Sequence, residues 1–74
     1  MSRYHLVVEF ESLDRLLVRD LHGNCHVASL LAWEGERPQV GDYVVAHSGF
    51  ALGLADPDEV AEARRELDSV RRKV

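Results

Sequence analysis

The stretch Val40-Gly41-Asp42-Tyr43-Val44-Val45-Ala46-His47-Ser48-Gly49-Phe50-Ala51-Leu52-Gly53-Leu54, followed by Ala55 and Asp56-Pro57, decides the fold. Val40 to His47 is apolar enough for a buried strand, and Ser48-Gly49 breaks it. Phe50, Leu52 and Leu54 then alternate with Ala51, Gly53 and Ala55, which predicts a short further strand. Asp56 stands as a helix N-cap, Pro57 takes the first helical place, and Glu59 lies three residues past the cap, so a capping box is expected. Val60, Ala63, Leu67, Val70 and Val74 recur at spacings of 3 and 4 residues, a stripe that predicts a helix over about 57–73 lying along the barrel. Arg71, Arg72 and Lys73 crowd its last turn, where positive charge meets the negative end of the helix dipole; a solvated end is expected there rather than an anion-binding patch.

Working back toward the start, Leu6, Val8 and Phe10 are apolar at every second place with His5, Val7 and Glu9 between them, the pattern of a half-buried strand. Glu11-Ser12-Leu13-Asp14 interrupts it, and Arg15 to Leu21 resumes it with Leu16 and Val18 on one side and Leu17 and Leu21 on the other. His22-Gly23-Asn24 tolerates positive φ and predicts a tight reversal into a third strand, Cys25 to Trp33. On that strand Cys25, Val27, Leu31 and Trp33 would share one face and Ala28, Leu30 and Ala32 the other. The polar Glu34-Gly35-Glu36-Arg37-Pro38-Gln39 is a loop. The reading is mainly β: a small five-stranded OB-like barrel over about 3–55 with a C-terminal α-helix, in a single domain spanning 1–74.

At 74 residues the chain has material for one core, and a pocket deep enough to enclose a substrate is not expected. The 9 Lys and Arg against 13 Asp and Glu give a net charge of −4, which disfavours nonspecific attraction to phosphate backbones and anionic lipid. A single cysteine excludes an intramolecular disulfide and points to a reducing compartment, so a cytoplasmic setting is expected. No run of 18 apolar residues is present to span a bilayer, and no membrane partner is expected.

Four histidines and the cysteine are the candidate soft or borderline metal ligands, and their spacing follows no zinc pattern. Cys25 and His26 are neighbours on a strand, so their side chains point to opposite faces; Cys25 is expected as a small core residue. His5 and His22 are expected to be exposed on a strand and in a turn. His47 differs, because it ends an apolar strand and precedes Ser48-Gly49-Phe50, where Gly49 permits an unusual backbone angle. Its imidazole is a candidate for display at a barrel mouth, set against the plainer reading of a hydrogen-bonded packing residue. Ser48 points away from His47 and no third residue orients a base, so no enzyme activity is expected.

The run Val40 to Ala51, with Asp56-Pro57-Asp58-Glu59-Val60-Ala61-Glu62-Ala63 after it, resembles the HypC/HupF family of small NiFe-hydrogenase maturation chaperones. The resemblance covers about the last half of the chain, and its weight lies on His47, Gly49, Phe50 and Ala51. It implies an OB-like barrel with a C-terminal helix. It also implies a protein that holds an Fe(CN)2(CO) unit with a HypD-like scaffold and escorts it to the precursor of the hydrogenase large subunit. On the same ground His47, Ser48, Gly49 and Phe50 are the candidate partner-binding residues, His47 is the candidate metal ligand, and Cys25 is a weaker one. The family's opening Met-Cys-x-Gly-x-Pro, whose cysteine ligates iron, is replaced here by Met1-Ser2-Arg3-Tyr4-His5-Leu6. A protonated serine hydroxyl is no substitute for a thiolate on low-spin iron.

Three readings then stand: His47 takes iron together with ligands from a partner, the hairpin brings Cys25 beside His47, or the chain recognises its partners without carrying metal. The last is the expectation, with no cofactor bound stably and Fe(CN)2(CO) only a transient guest. Two other classes are weighed against it. One is a nucleic-acid-binding module on an OB-like barrel, disfavoured because Tyr4, Phe10, Trp33, Tyr43 and Phe50 are scattered without interleaved basic residues. The other is a regulatory module that forms a homo-oligomer through the helix stripe or an uncovered strand edge.

Overall fold

The computed structural model describes residues 3–72, with side chains through residue 70. Five strands are followed by one helix: β1 (Tyr4–Ser12), β2 (Arg15–Asp20), β3 (Cys25–Ser29), β4 (Tyr43–His47), β5 (Phe50–Leu54) and α1 (Pro57–Arg72). β1 pairs with β2 and β4, β2 with β3, and β4 with β5, all antiparallel. β3 and β5 meet in parallel at Ser29 and Phe50, which closes the barrel in the order β1-β2-β3-β5-β4. This is the mainly β, five-stranded OB-like barrel with a C-terminal helix that the periodicity predicts. No helix of the described residues is long and apolar enough to cross a membrane.

The face of β1 is not the predicted one. Val7, opposite Val18, is 1% exposed, while Leu6 and Val8 are only half-buried. The register shifts between Val7 and Glu9 and again between Phe10 and Ser12, so Val8 and Glu11 are extra residues on the β1 side of the ladder. Each such bulge reverses which face the following residues present and bends the strand, which lets one long strand pair with β2 along its length and with β4 at its start. The interior is filled by Val7, Leu16, Val18, Ala28, Val44 and Ala51, with Phe10, Leu30 and Trp33 packed against them.

β3 ends at Ser29, four residues before the predicted Trp33. Past Ser29 the chain leaves the sheet: the Leu30 amide donates to the Asp14 carbonyl at 2.7 Å and Trp33 to Leu30 at 3.0 Å. Leu31 is consequently solvent-exposed, whereas Trp33 returns to the core from the loop, its indole N–H donating to the Glu36 carbonyl at 2.8 Å. β4 likewise begins at Tyr43 rather than Val40, because Gly41 turns at φ +95° and its amide donates to the Val7 carbonyl from outside the strand.

The stripe of α1 lies on the barrel over its first turns, and the helix is longer than the barrel needs. Val60 is buried and Ala63 and Leu67 are half-buried, but Val70 is 64% exposed. A 16-residue helix is about 24 Å long, and the molecule measures 41 × 21 × 20 Å, so the distal turns extend beyond the barrel. The first turns are held by polar contacts. Asp56 caps the helix by accepting from the Asp58 amide at 2.8 Å. The Glu59 carboxylate accepts from the Tyr4 hydroxyl at 2.9 Å, a barrel contact in place of the reciprocal bond of a capping box, and the bond raises the Tyr4 pKa by favouring the neutral phenol. Arg64 lies over the Tyr43 ring and donates to its hydroxyl. The expected stripe residue Val74 and the basic Lys73 lie outside the described residues, as do the side chains of Arg71 and Arg72.

Candidate functional site

His47 and Phe50 are opposite one another across β4 and β5, so the connection is a two-residue loop. Both loop residues have positive φ, Ser48 at 53° and Gly49 at 84°. That combination defines the mirror-image turn whose twist matches antiparallel strands, and glycine meets its second requirement without strain. The Gly49 carbonyl accepts from the Ser29 amide at 2.8 Å, which ties the corner to β3. His47, Ser48, Gly49 and Phe50 are all exposed, Phe50 by 41%. Phe50 shares a shallow depression with Val27 and Leu31, edged by Asp14 and Arg15, and the exposed Leu52 and Leu54 continue outward along β5. The predicted partner-binding residues are thus brought together on one apolar, outward-facing corner.

Cys25 departs from both of its expectations. It is exposed rather than part of the core. It also stands apart from His47: Cys25 pairs with Arg19 at one end of β3, while Ser29 at the other end pairs with Phe50. Four steps of extended chain, about 13 Å, separate the two ends. The hairpin does not bring thiol and imidazole to one ion.

A second cluster occupies the opposite rim. His5 is paired with Asp20, and Val18, two residues before Asp20 on β2, faces His26 on β3. One ligand atom from each of His5, Asp20 and His26 lies within 4.8 Å of the other two. His26 Nε2 is 3.0 Å from Asp20 Oδ2, and the rings of His5 and His26 meet edge to face with centroids 5.6 Å apart. Asp20 Oδ1 is used differently, accepting from the amides of His22 and Asn24, each at 2.9 Å, so it organises the turn around Gly23 (φ +91°). The His26 bond first, and these two amides after it, hold the Asp20 carboxyl at about 2 against an ordinary 3.8. Because the folded-state value is depressed, the stability that ionised Asp20 lends the hairpin is complete above pH 3.8 and is lost as the pH falls through about 2. A carbon-detected NMR titration should give Asp20 a midpoint near 2; a midpoint near 3.8 would show the turn to be held without it.

Sequence reasoning missed this cluster for a definable reason. Counting back from the paired Ser12 and Arg15 with no irregularity would set His5 opposite His22. The two bulges in β1 slide the ladder by two residues, so Asp20 stands there instead, and the bulge at Val8 turns His5 to the interior side with Val7. His5 is half-buried rather than an exposed strand residue, whereas His22 is exposed in the turn as predicted. The β2–β3 register outward from Gly23 was readable, and it would have put Asp20 near His26. No family model, curated protein or solved structure matches the chain.

Proposed function

We propose that this chain is a non-enzymatic, HypC-like accessory chaperone that docks on a NiFe-hydrogenase large-subunit precursor, on a HypD-like scaffold, or on both in turn, while the Fe(CN)2(CO) unit is assembled, without carrying iron itself. The observation that supports this reading is the β4–β5 corner. It presents an imidazole and an aromatic ring on the paired residues that flank a two-residue turn, with Phe50 sharing a depression with the exposed Val27 and Leu31. Exposed apolar groups clustered around a fixed polar handle are the chemistry of a protein-docking surface. A net charge of −4 weighs against a nucleic-acid partner.

The test is capture of a purified large-subunit precursor or HypD-like scaffold by the tagged chain. His47→Ala and Phe50→Asp are each expected to weaken capture about tenfold or more, the loss of one interface anchor, with circular dichroism and melting temperature retained. Undiminished capture by both variants would return the corner to a structural role. Stoichiometric iron with cyanide and carbonyl infrared bands in the isolated protein would overturn the iron-free form of the proposal.

A further inference from the structure

The rim cluster of His5, Asp20 and His26 has a feature that a chance meeting of polar residues lacks: His5 and Asp20 are each already oriented by bonds to the backbone. His5 Nδ1 lies 3.2 Å from the Arg3 carbonyl oxygen. A carbonyl only accepts, so Nδ1 carries the hydrogen and Nε2 keeps its lone pair. This backbone-anchored imidazole is the outer arrangement that metal-binding histidines use to fix tautomer and ring direction. Asp20 is held in the same way, with Oδ1 on two backbone amides and Oδ2 left for the cluster. Its side chain is 13% exposed, while that of His26 is 52% exposed and has room to adjust.

We infer that His5, Asp20 and His26 form a binding site for a borderline divalent cation of the Zn2+ class at the barrel rim, independent of the β4–β5 corner. Two imidazoles and one carboxylate are a donor set for zinc and its first-row neighbours, and hard ions such as Mg2+ demand more oxygen. Bonds of about 2.0–2.2 Å need donors roughly 3.3 Å apart in a tetrahedron. His26 Nε2 and Asp20 Oδ2, 3.0 Å apart, already stand near that spacing, and the remaining separations, which involve His5 and are no more than 4.8 Å, need to close by about 1.5 Å at most. His26 Nε2, which now donates to Asp20, gives up that hydrogen to Nδ1 by tautomer exchange, and the cation takes the hydrogen's place between the ring and the carboxylate. Three protein ligands leave the fourth position to water or to an outside donor.

The experiment is calorimetric titration of the full chain with Zn2+ alone, repeated in excess Mg2+. One saturable ion per chain that Mg2+ does not displace is expected. His5→Gln and His26→Gln should each weaken it at least tenfold, as should Asp20→Asn, whose amide oxygen can still accept from the His22 and Asn24 amides. His47→Ala and Cys25→Ser should leave it unchanged. In nitrogen-edited NMR the ring signals of His5 and His26 should move on Zn2+ addition while those of His47 stay, a readout that holds even if a variant folds poorly. Absence of saturable Zn2+ binding in the unmodified chain would overturn the assignment. So would binding that survives loss of His5 and His26, or that disappears with His47 or Cys25.

Discussion

Leu16→Ala is expected to cost about 2–5 kcal/mol, a large part of the stability of a domain this size. Leu16 is fully buried at the centre of the barrel, paired with Phe10 on β1 and Ala28 on β3. Ala28 and Ala51 are too small to collapse into the space a leucine leaves, so the cavity persists and adds to the lost transfer energy. Domains of this size have roughly 4–11 kcal/mol in total at typical per-residue values, so one such deletion removes a large share. Urea unfolding measures it as a lowered midpoint at unchanged slope. Leu13→Ala, in the exposed turn between β1 and β2, is the control and should fall within about 0.5 kcal/mol of the parent. Equal midpoints for the two variants would contradict the assignment of Leu16 to the interior.

Gly49→Val is the second large effect, and it links stability to docking. At φ +84° a β-branched side chain meets its own backbone, at a cost of about 1–3 kcal/mol or more. A Cβ placed on Gly49 would have no other atom within 4 Å, so the penalty is conformational rather than a clash with neighbours. The least costly escape is to flip the turn, which takes the Gly49 carbonyl away from the Ser29 amide and re-aims His47 and Phe50. Capture of the partner should therefore fall along with the urea midpoint. Ser48→Gly, at φ 53°, should keep both close to the parent, since glycine accepts the same angle. A Gly49→Val protein that is as stable and as well captured as the parent would show that the turn does not fix the corner.

The parts of the fold that were legible in the sequence are those governed by local chemistry. Gly23 and Ser48-Gly49 mark reversals by their backbone freedom, and Asp56-Pro57 marks the helix start by its capping oxygen and missing amide. Strand count and barrel closure follow once those breaks are in place. What could not be read was set by partners distant in sequence. The interior face of β1 depends on bulges that only the ladder with β2 reveals, because Leu6-Val7-Val8 is apolar at every place and fits either face. The early end of β3 depends on the Leu30 amide finding Asp14, sixteen residues upstream. On β5 the alternation is broken by a register shift at Leu52: Phe50 and Leu52 are exposed, the small Ala51 fills the interior, and Leu54, paired with the buried Val44, is exposed at the end of the strand. The same logic divides the candidate sites. The corner is contiguous in sequence and could be named, whereas the rim triad is drawn from three strands and depends on the slipped register.

β3 has the His26 rim at one end and the pairing with the corner at the other, and all five of its residues are paired with β2. It thereby sets the distance between the proposed ion site and the proposed docking corner. His26 lies three residues from Ser29, about 10 Å along the strand and inside the footprint of a protein interface of standard size, so a partner seated on Phe50 would be wide enough to bring a fourth ligand to an ion at His26 around the outside of the barrel.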